Sequence, residues 1–170
     1  MELYSRIASA DDAGDIARLV NSAYRPSKKF GWTHESDLIS GDRISVEQVR
    51  SLFHENSVVL LLCDEVCIVS CVHIKMDHSS AYIGMLATNP ELQSQGLGKK
   101  ILSYAEQYAI EFFKTDTFRM SVLSSRPELL AFYERRGYTL TGETNSYPLS
   151  EGVGKPKVTN VQVLSLIKVI

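Results

Sequence analysis

Cysteine, proline and tryptophan are scarce in this 170-residue chain, with three Cys, five Pro and a single Trp. An odd number of cysteines with no export signal favours free thiols. Their spacing, Cys63-x3-Cys67-x3-Cys71 with His73 after it, lacks the C-x2-C pairs that zinc sites use. Small apolar thiols in a buried hairpin are expected, and no metal. A surplus of positive charge is missing too. Eighteen Lys and Arg stand against twenty Asp and Glu, a net charge of −2, without a dense basic run. Nucleic acid and anionic membranes both select a basic surface, so neither is expected as a partner. No long hydrophobic run is present either. The stretch "VVLLLCDEVCIV" is broken by Asp64 and Glu65 and is too short and too charged to span a bilayer. "MELYSRIASADD" has no basic segment leading into an apolar one, so no secretory leader is expected and a cytoplasmic location is. What is left is an ordinary globular composition, 44% hydrophobic and 22% charged. The length suits one domain, read here as 1–170, that buries its own core.

Along the chain, alternation in "LYSRIAS" (3–9) predicts a first strand. Asp11 and Asp12 stand at the N-cap of a helix with Ile16, Leu19, Val20 and Ala23 on one face. It ends near Arg25-Pro26, because proline disfavours helix before it. Residues 26–44 predict a long connection or broken helix, and long connections are often functional. Ser45 and Gln48 make a capping-box pattern for a helix over 45–54. Apolar runs at 57–63 and 67–76 flank a tight turn at Asp64-Glu65 and predict a buried hairpin. A strand follows over 81–89. A helix then runs from Gly96 or Leu97 to about Lys114, with Leu97, Ile101, Ala105, Tyr108, Ala109 and Phe112 on one stripe. Next come a strand over 118–124 and a helix over 126–137, with Pro127 in its first turn and Gly137 at its C-cap. "YTLTG" and "NVQVLSLIKVI" finish as strands. The segment over 82–124 is a β-α-β unit whose strands should be parallel. The order β-α-(α)-β-β-β-α-β-α-β-β is that of a mixed α/β (α+β) domain. The final strand, 161–170, fits either inside the sheet or across a dimer edge, so monomer and homodimer both stand.

The most informative segment is "ATNPELQSQGLGKK". A strand ends, a loop turns and a helix begins, which is where unpaired N–H groups and a partial positive charge are exposed to an anion. Gly96 and Gly98 remove Cβ atoms that would block close approach. The P-loop pattern fails, since it needs an earlier glycine and a hydroxyl after the lysine. The dinucleotide fingerprint fails at Ile101, where it needs a third glycine.

"Q-S-Q-G-L-G-K" after a strand ending in "NPELQ" resembles the acyl-CoA loop of the GNAT acyltransferase superfamily, whose signature is [Gln/Arg]-x-x-Gly-x-[Gly/Ala]. "PELLAFYERRGYTLTGE" resembles the family's later helix and strand, in the right order downstream. The resemblance implies a GNAT-like fold: a central mixed, mostly antiparallel sheet, splayed at two parallel strands, with helices on both faces. It implies acetyl-CoA held between the splayed strands, 82–88 and 118–124. The backbone of Leu86, Ala87 and Thr88 would meet the pantetheine arm. Gln93, Ser94, Gln95, Gly96, Leu97, Gly98 and Lys99 would wrap the pyrophosphate. Lys100 either touches phosphate or faces water.

The activity implied is direct transfer of an acetyl group from the CoA thioester to an amine. The implied acceptor is an amine of a small molecule or of a peptide. Tyr133 takes the family's position for protonating the leaving thiolate, and a phenol with a reference pKa of about 10 is a proton donor at pH 7. Phe132 and Tyr133 point about 100° apart on a helix, so one is expected in the core and the other in the site. Arg126 stands where many relatives carry Asn, and is either a phosphate ligand or a solvent-exposed helix start. The base is open. His73 titrates near neutrality and is one candidate, with Glu35, Asp37 and Glu143 as others. Tyr82 and Ser124 are candidates for shaping the pocket. Trp32, Glu35 and Asp37 form an aromatic, acidic rim suited to a cationic amine. Two rival readings remain at this stage: a module of the same fold that binds acyl-CoA without catalysis, and transfer to a hydroxyl.

Overall fold

The computed structural model describes residues 2–24, 39–40, 43–146, 155–156 and 162–170. Its elements are β1 (Tyr4–Ile7), α1 (Ala13–Tyr24), β2 (Ile39–Ser40), α2 (Val46–Arg50), β3 (Ser57–Cys63), β4 (Ile68–Asp77) and β5 (Ser80–Thr88). These are followed by α3 (Leu97–Phe112), β6 (Thr117–Leu123), α4 (Pro127–Glu134), β7 (Thr139–Ser146), β8 (Lys155–Pro156) and β9 (Gln162–Val169). Seven strands form one mixed sheet in the order β1-β3-β4-β5-β6-β9-β7. The β5–β6 pair is parallel and every other neighbouring pair in it is antiparallel. The final strand, β9, lies inside this sheet between β6 and β7. The short strands β2 and β8 pair separately with each other, which the polar sequence around them did not suggest.

Side chains alternate across a strand, so each strand serves two layers. Leu60, Leu62, Val72, Ile74, Ile83 and Phe118 face α3 and α4. Val59, Leu61, Cys63, Cys71 and Met85 face α1 and α2. This explains why β3 reads as a continuous apolar run, since both faces are covered. Cys63 and Cys71 are buried as expected. Cys67 is exposed instead, because it lies at the hairpin turn. There Asp64 Oδ1 accepts the N–H groups of Val66 and Cys67, both at 2.8 Å.

Local signals were realised closely at the caps. Ser45 Oγ accepts Gln48 N–H at 3.1 Å and Gln48 Oε1 accepts Ser45 N–H at 2.7 Å. The helix they open, α2, is only five residues long. At α3 the stripe expected to be buried fails at its end. Leu97, Ile101, Ala105 and Ala109 are buried, but Phe112 is 61% exposed. Its ring sits 4.7 Å from that of Tyr108, in the last turn of the helix.

Asp12 ties the first strand to the first helix. A single turn, Ala10–Asp12, precedes α1, and the Asp12 carboxylate accepts Ser9 N–H at 2.9 Å. Arg6 donates to both of its oxygens, at 2.8 and 2.9 Å. These bonds, Arg6 first, hold the Asp12 carboxyl down at about 2. A lowered carboxyl stabilises the fold above its ordinary pKa of 3.8, and that stability fades as pH falls from there towards about 2. Asp12→Ala is therefore expected to lose about 1 kcal/mol at pH 7. The gap to wild type should close in urea titrations run at successively lower pH.

Candidate active site

Strands β5 and β6 are bonded at only two rungs, Ala81 with Phe118 and Tyr82 with Arg119. Beyond them the strands separate. On its other side β5 stays paired with β4, as at Cys71–Ala87 and Ser70–Thr88. A bulge marks the split. Between the rungs His73–Gly84 and Cys71–Ala87, Met85 and Leu86 together oppose Val72, and Met85 takes a φ of +53°. A bulge bends its strand and ends pairing on one side. The backbone of Leu86–Thr88 thus faces a gap, with polar groups that lack a ladder partner across it.

A cleft of about 320 Å³ opens at this gap. Ala23 and Tyr24 of α1 line it, and so do Gly98 of α3 and Tyr133 of α4. Those helices cover opposite faces of the sheet. One cleft reaches both because β5 and β6 part there.

Leu86, Ala87, Thr88, Gln93, Ser94, Gly96, Leu97, Gly98, Lys99 and Arg126 all line the cleft. Gln95 and Lys100 are not among its lining residues. Gly96 sits at the N-cap of α3 in the left-handed conformation, φ +80°, which glycine adopts at low cost. The first helical bond runs from Lys100 N–H to Gly96 C=O at 3.0 Å. The N–H groups of Leu97, Gly98 and Lys99 therefore have no acceptor inside the helix. Gly98 lies against the opposite wall: a Cβ there would meet Leu86 Cδ2 and Phe132 Cζ, each at 3.7 Å.

Charge in the cleft is one-sided. Among the described residues Lys99, Arg126, Arg135 and Arg136 line it and no Asp or Glu does, in a chain whose net charge is −2. The guanidinium of Arg136 stacks 3.9 Å from the Phe132 ring and donates to Phe132 C=O at 2.8 Å. Burial lowers its pKa. Arg126 is only 4% exposed, so it is not a solvent-exposed helix start. It stands 3.7 Å from Glu128 and 5.9 Å from the centre of the Tyr24 ring.

Tyr133 is buried, and its phenol is pushed up first by burial, then by the neighbouring Tyr24, while Arg126 opposes. Its ring meets those of Phe132 and Tyr138 edge-on, at 5.3 and 6.1 Å. The expected division between Phe132 and Tyr133 does not hold. Both line the cleft, because it wraps the side of α4 widely enough to meet adjacent residues.

The remaining candidates lie elsewhere. His73 is not a lining residue. Its Nε2 is 2.8 Å from Ser57 Oγ, and Ser57 Oγ in turn donates to Leu52 C=O at 2.7 Å. Burial, then Lys75, His54 and Arg43, push His73 down to about 4, so it is neutral at pH 7. Glu143 is exposed on β7. Ser124 Oγ accepts Gln162 N–H at 3.2 Å. Tyr82 donates to Ser121 Oγ at 2.7 Å, a side-chain bridge between β5 and β6 just past their last rung. Trp32, Glu35 and Asp37 lie outside the described residues. Tyr24, Leu129, Arg135 and Arg136 joined the cleft without a sequence motif to announce them. The only hint was the paired arginine in "YERRG".

The model of the acetyltransferase (GNAT) family matches residues 17–138. An S-alkylcysteine N-acetyltransferase of Bacillus subtilis (strain 168) is 27% identical over 142 residues, 78% of this chain and 76% of that protein. An S-(2-succino)cysteine N-acetyltransferase of the same organism is 23% identical over 146 residues, 81% of this chain and 85% of that one. The crystal structure of the ribosomal-protein-S18-alanine N-acetyltransferase from Escherichia coli superimposes with a TM-score of 0.73 at 17% identity, covering 99% of this chain and 94% of that one. At that identity the likeness is one of fold.

Proposed function

The chain belongs to the acetyltransferase (GNAT) family, and from that premise we propose that it is an N-acetyltransferase that moves an acetyl group from acetyl-CoA directly to a primary amine. One observation carries the proposal. A single cleft joins an unpaired strand edge, the N-terminus of α3, four cationic side chains and the Tyr133 phenol. The residues suit the donor's parts. The edge of Leu86–Thr88 that lacks a β6 partner suits an amide-bearing arm that adds like a strand. The N–H groups of Leu97 to Lys99 and the Lys and Arg side chains suit phosphates. The proposal takes residues 1–170 as one domain, since the sheet begins at Tyr4 and ends at Val169.

In this reading the amine nitrogen bonds to the acetyl carbonyl carbon as the carbon–sulfur bond breaks. Tyr133 gives its proton to the departing sulfur and regains one from water. Among the described residues no carboxylate or imidazole lines the cleft, and the amine's own proton is taken to leave through water. The acceptor proposed first is the α-amino group of an S-substituted cysteine, the substrate class in the names of both Bacillus relatives.

The test is thiol release from acetyl-CoA with a panel of primary amines that includes S-methylcysteine. Product mass and fragmentation should place the acetyl group on nitrogen. A protein that binds acetyl-CoA yet yields thiol with no amine defeats the proposal.

A further inference from the structure

One mostly buried carboxylate has no part in the chemistry above. Glu106 belongs to α3, and Lys168, on β9, donates to its Oε1 at 2.9 Å. The Tyr138 hydroxyl donates to its Oε2 at 2.8 Å. Both carboxylate oxygens are engaged, one by a cation and one by a phenol. The Lys168 ammonium also stands 5.6 Å from the centre of the Tyr138 ring, and Tyr138 is fully buried just before β7.

Burying these groups has a cost. Phenylalanine would fill the Tyr138 site with no polar atom to satisfy, and an apolar residue at 106 would leave no carboxylate to dehydrate. A buried ion pair is a weak source of stability, so its use here calls for a geometric purpose.

That purpose lies next door, at Tyr133. Tyr138 N–H donates to Tyr133 C=O at 3.2 Å, and the two rings meet edge-on with centres 6.1 Å apart. Among the described residues no hydrogen bond reaches the Tyr133 hydroxyl, so packing sets where that phenol stands. A packed ring is a firm wall only when it cannot swing about its Cα–Cβ bond. The Tyr138 hydroxyl is the far end of its ring. Glu106 holds that end, and Lys168 holds Glu106.

We infer that Lys168, Glu106 and Tyr138 are positioning residues, which brace the Tyr138 ring against Tyr133 and keep the Tyr133 phenol aimed at the departing sulfur. None of the three lines the cleft, so they act through Tyr133 and not on the substrate. This rests on the transferase reading above, with Tyr133 as its proton donor.

The experiment is a double-mutant cycle of Tyr138→Phe with Tyr133→Phe in the full chain, with kcat read as thiol release at saturating acetyl-CoA and amine. Tyr138→Phe alone is expected to lower kcat about ten- to a hundredfold, as a misplacement of about 1 Å does. Its amine KM and its calorimetric affinity for acetyl-CoA should stay within about twofold of the wild type. In the Tyr133→Phe background the same change should alter the residual rate by less than about twofold, because the group it positions is gone. A merely structural role would lower both backgrounds equally. Glu106→Leu should act like Tyr138→Phe, and Glu106→Gln, which keeps an oxygen for the hydroxyl, should recover much of the rate. Tyr138→Phe keeps the packed ring, and its melting temperature verifies folding. A wild-type kcat in Tyr138→Phe overturns the inference, as does an equal loss in both backgrounds. Either result leaves the transferase reading standing. A wild-type protein that releases thiol with no amine defeats that reading first and the inference with it.

Discussion

Tyr133→Phe is expected to lower kcat by about a hundred- to ten-thousand-fold, the usual worth of a positioned proton donor. The substitution removes one oxygen and keeps the ring that packs edge-on against Phe132 and Tyr138. No hydrogen bond to the Tyr133 hydroxyl is found among the described residues, so the fold loses little. Acetyl-CoA affinity should therefore stay near that of the wild type, and the loss should appear in kcat. The pH dependence adds a second readout. Burial pushes the Tyr133 phenol above its ordinary value of 10.0, so the donor keeps its proton through the whole neutral and mildly alkaline range. The wild-type rate should climb with pH as the amine loses its proton, without a fall on the alkaline side below about pH 10. A phenylalanine variant as fast as the wild type removes Tyr133 from the chemistry.

The second large effect is expected at Gly98. Glutamate there places bulk and negative charge between Leu86 and Phe132, in a cleft suited to phosphates. Acetyl-CoA affinity should fall by about a hundredfold or more, since like charges brought together cost several kcal/mol. The fold should hold. A Cβ at 98 makes only ordinary contacts, the nearest at 3.7 Å, and an acidic residue in the first turn of a helix is favourable. Gly96 is a poorer choice, because its φ of +80° strains any other residue and confuses binding with folding. Gly98→Leu separates bulk from charge. Calorimetry decides the matter: unchanged affinity in Gly98→Glu, with an unchanged melting temperature, takes the loop out of the binding site.

Much of the fold was legible because its signals are local. The Ser45–Gln48 box, the two-sided apolar run of β3 and the glycine loop before α3 each depend on residues a few positions apart. The signals failed where an element's surroundings decide its fate. Phe112 has the periodicity of a buried residue, but it lies in the last turn of α3 and is exposed. The pairing of β2 with β8 joins segments more than a hundred residues apart, which no local pattern encodes. His73 looked like a base because free imidazole titrates near neutrality. Its place beside Ser57, among Lys75, His54 and Arg43, keeps it uncharged and off the cleft.

By itself the sequence determined the strand and helix order, the glycine loop at Gly96 and Gly98 that opens α3, and the family through two motifs in register. Hydrophobic period, caps and turn chemistry act over a few residues, so they survive as pattern. Only the tertiary structure decided which groups share the cleft. It set Arg126 beneath the surface beside Tyr24, put Phe132 and Tyr133 on one wall, and gathered Lys99, Arg135 and Arg136 into the same cleft. It also brought Arg43 over a ring nineteen positions earlier in the chain. The reason is that β5 and β6 part after two rungs, and the opening joins the two faces of the sheet. Side chains distant in sequence meet through that opening, and their charges act on one another only once folding has excluded water between them.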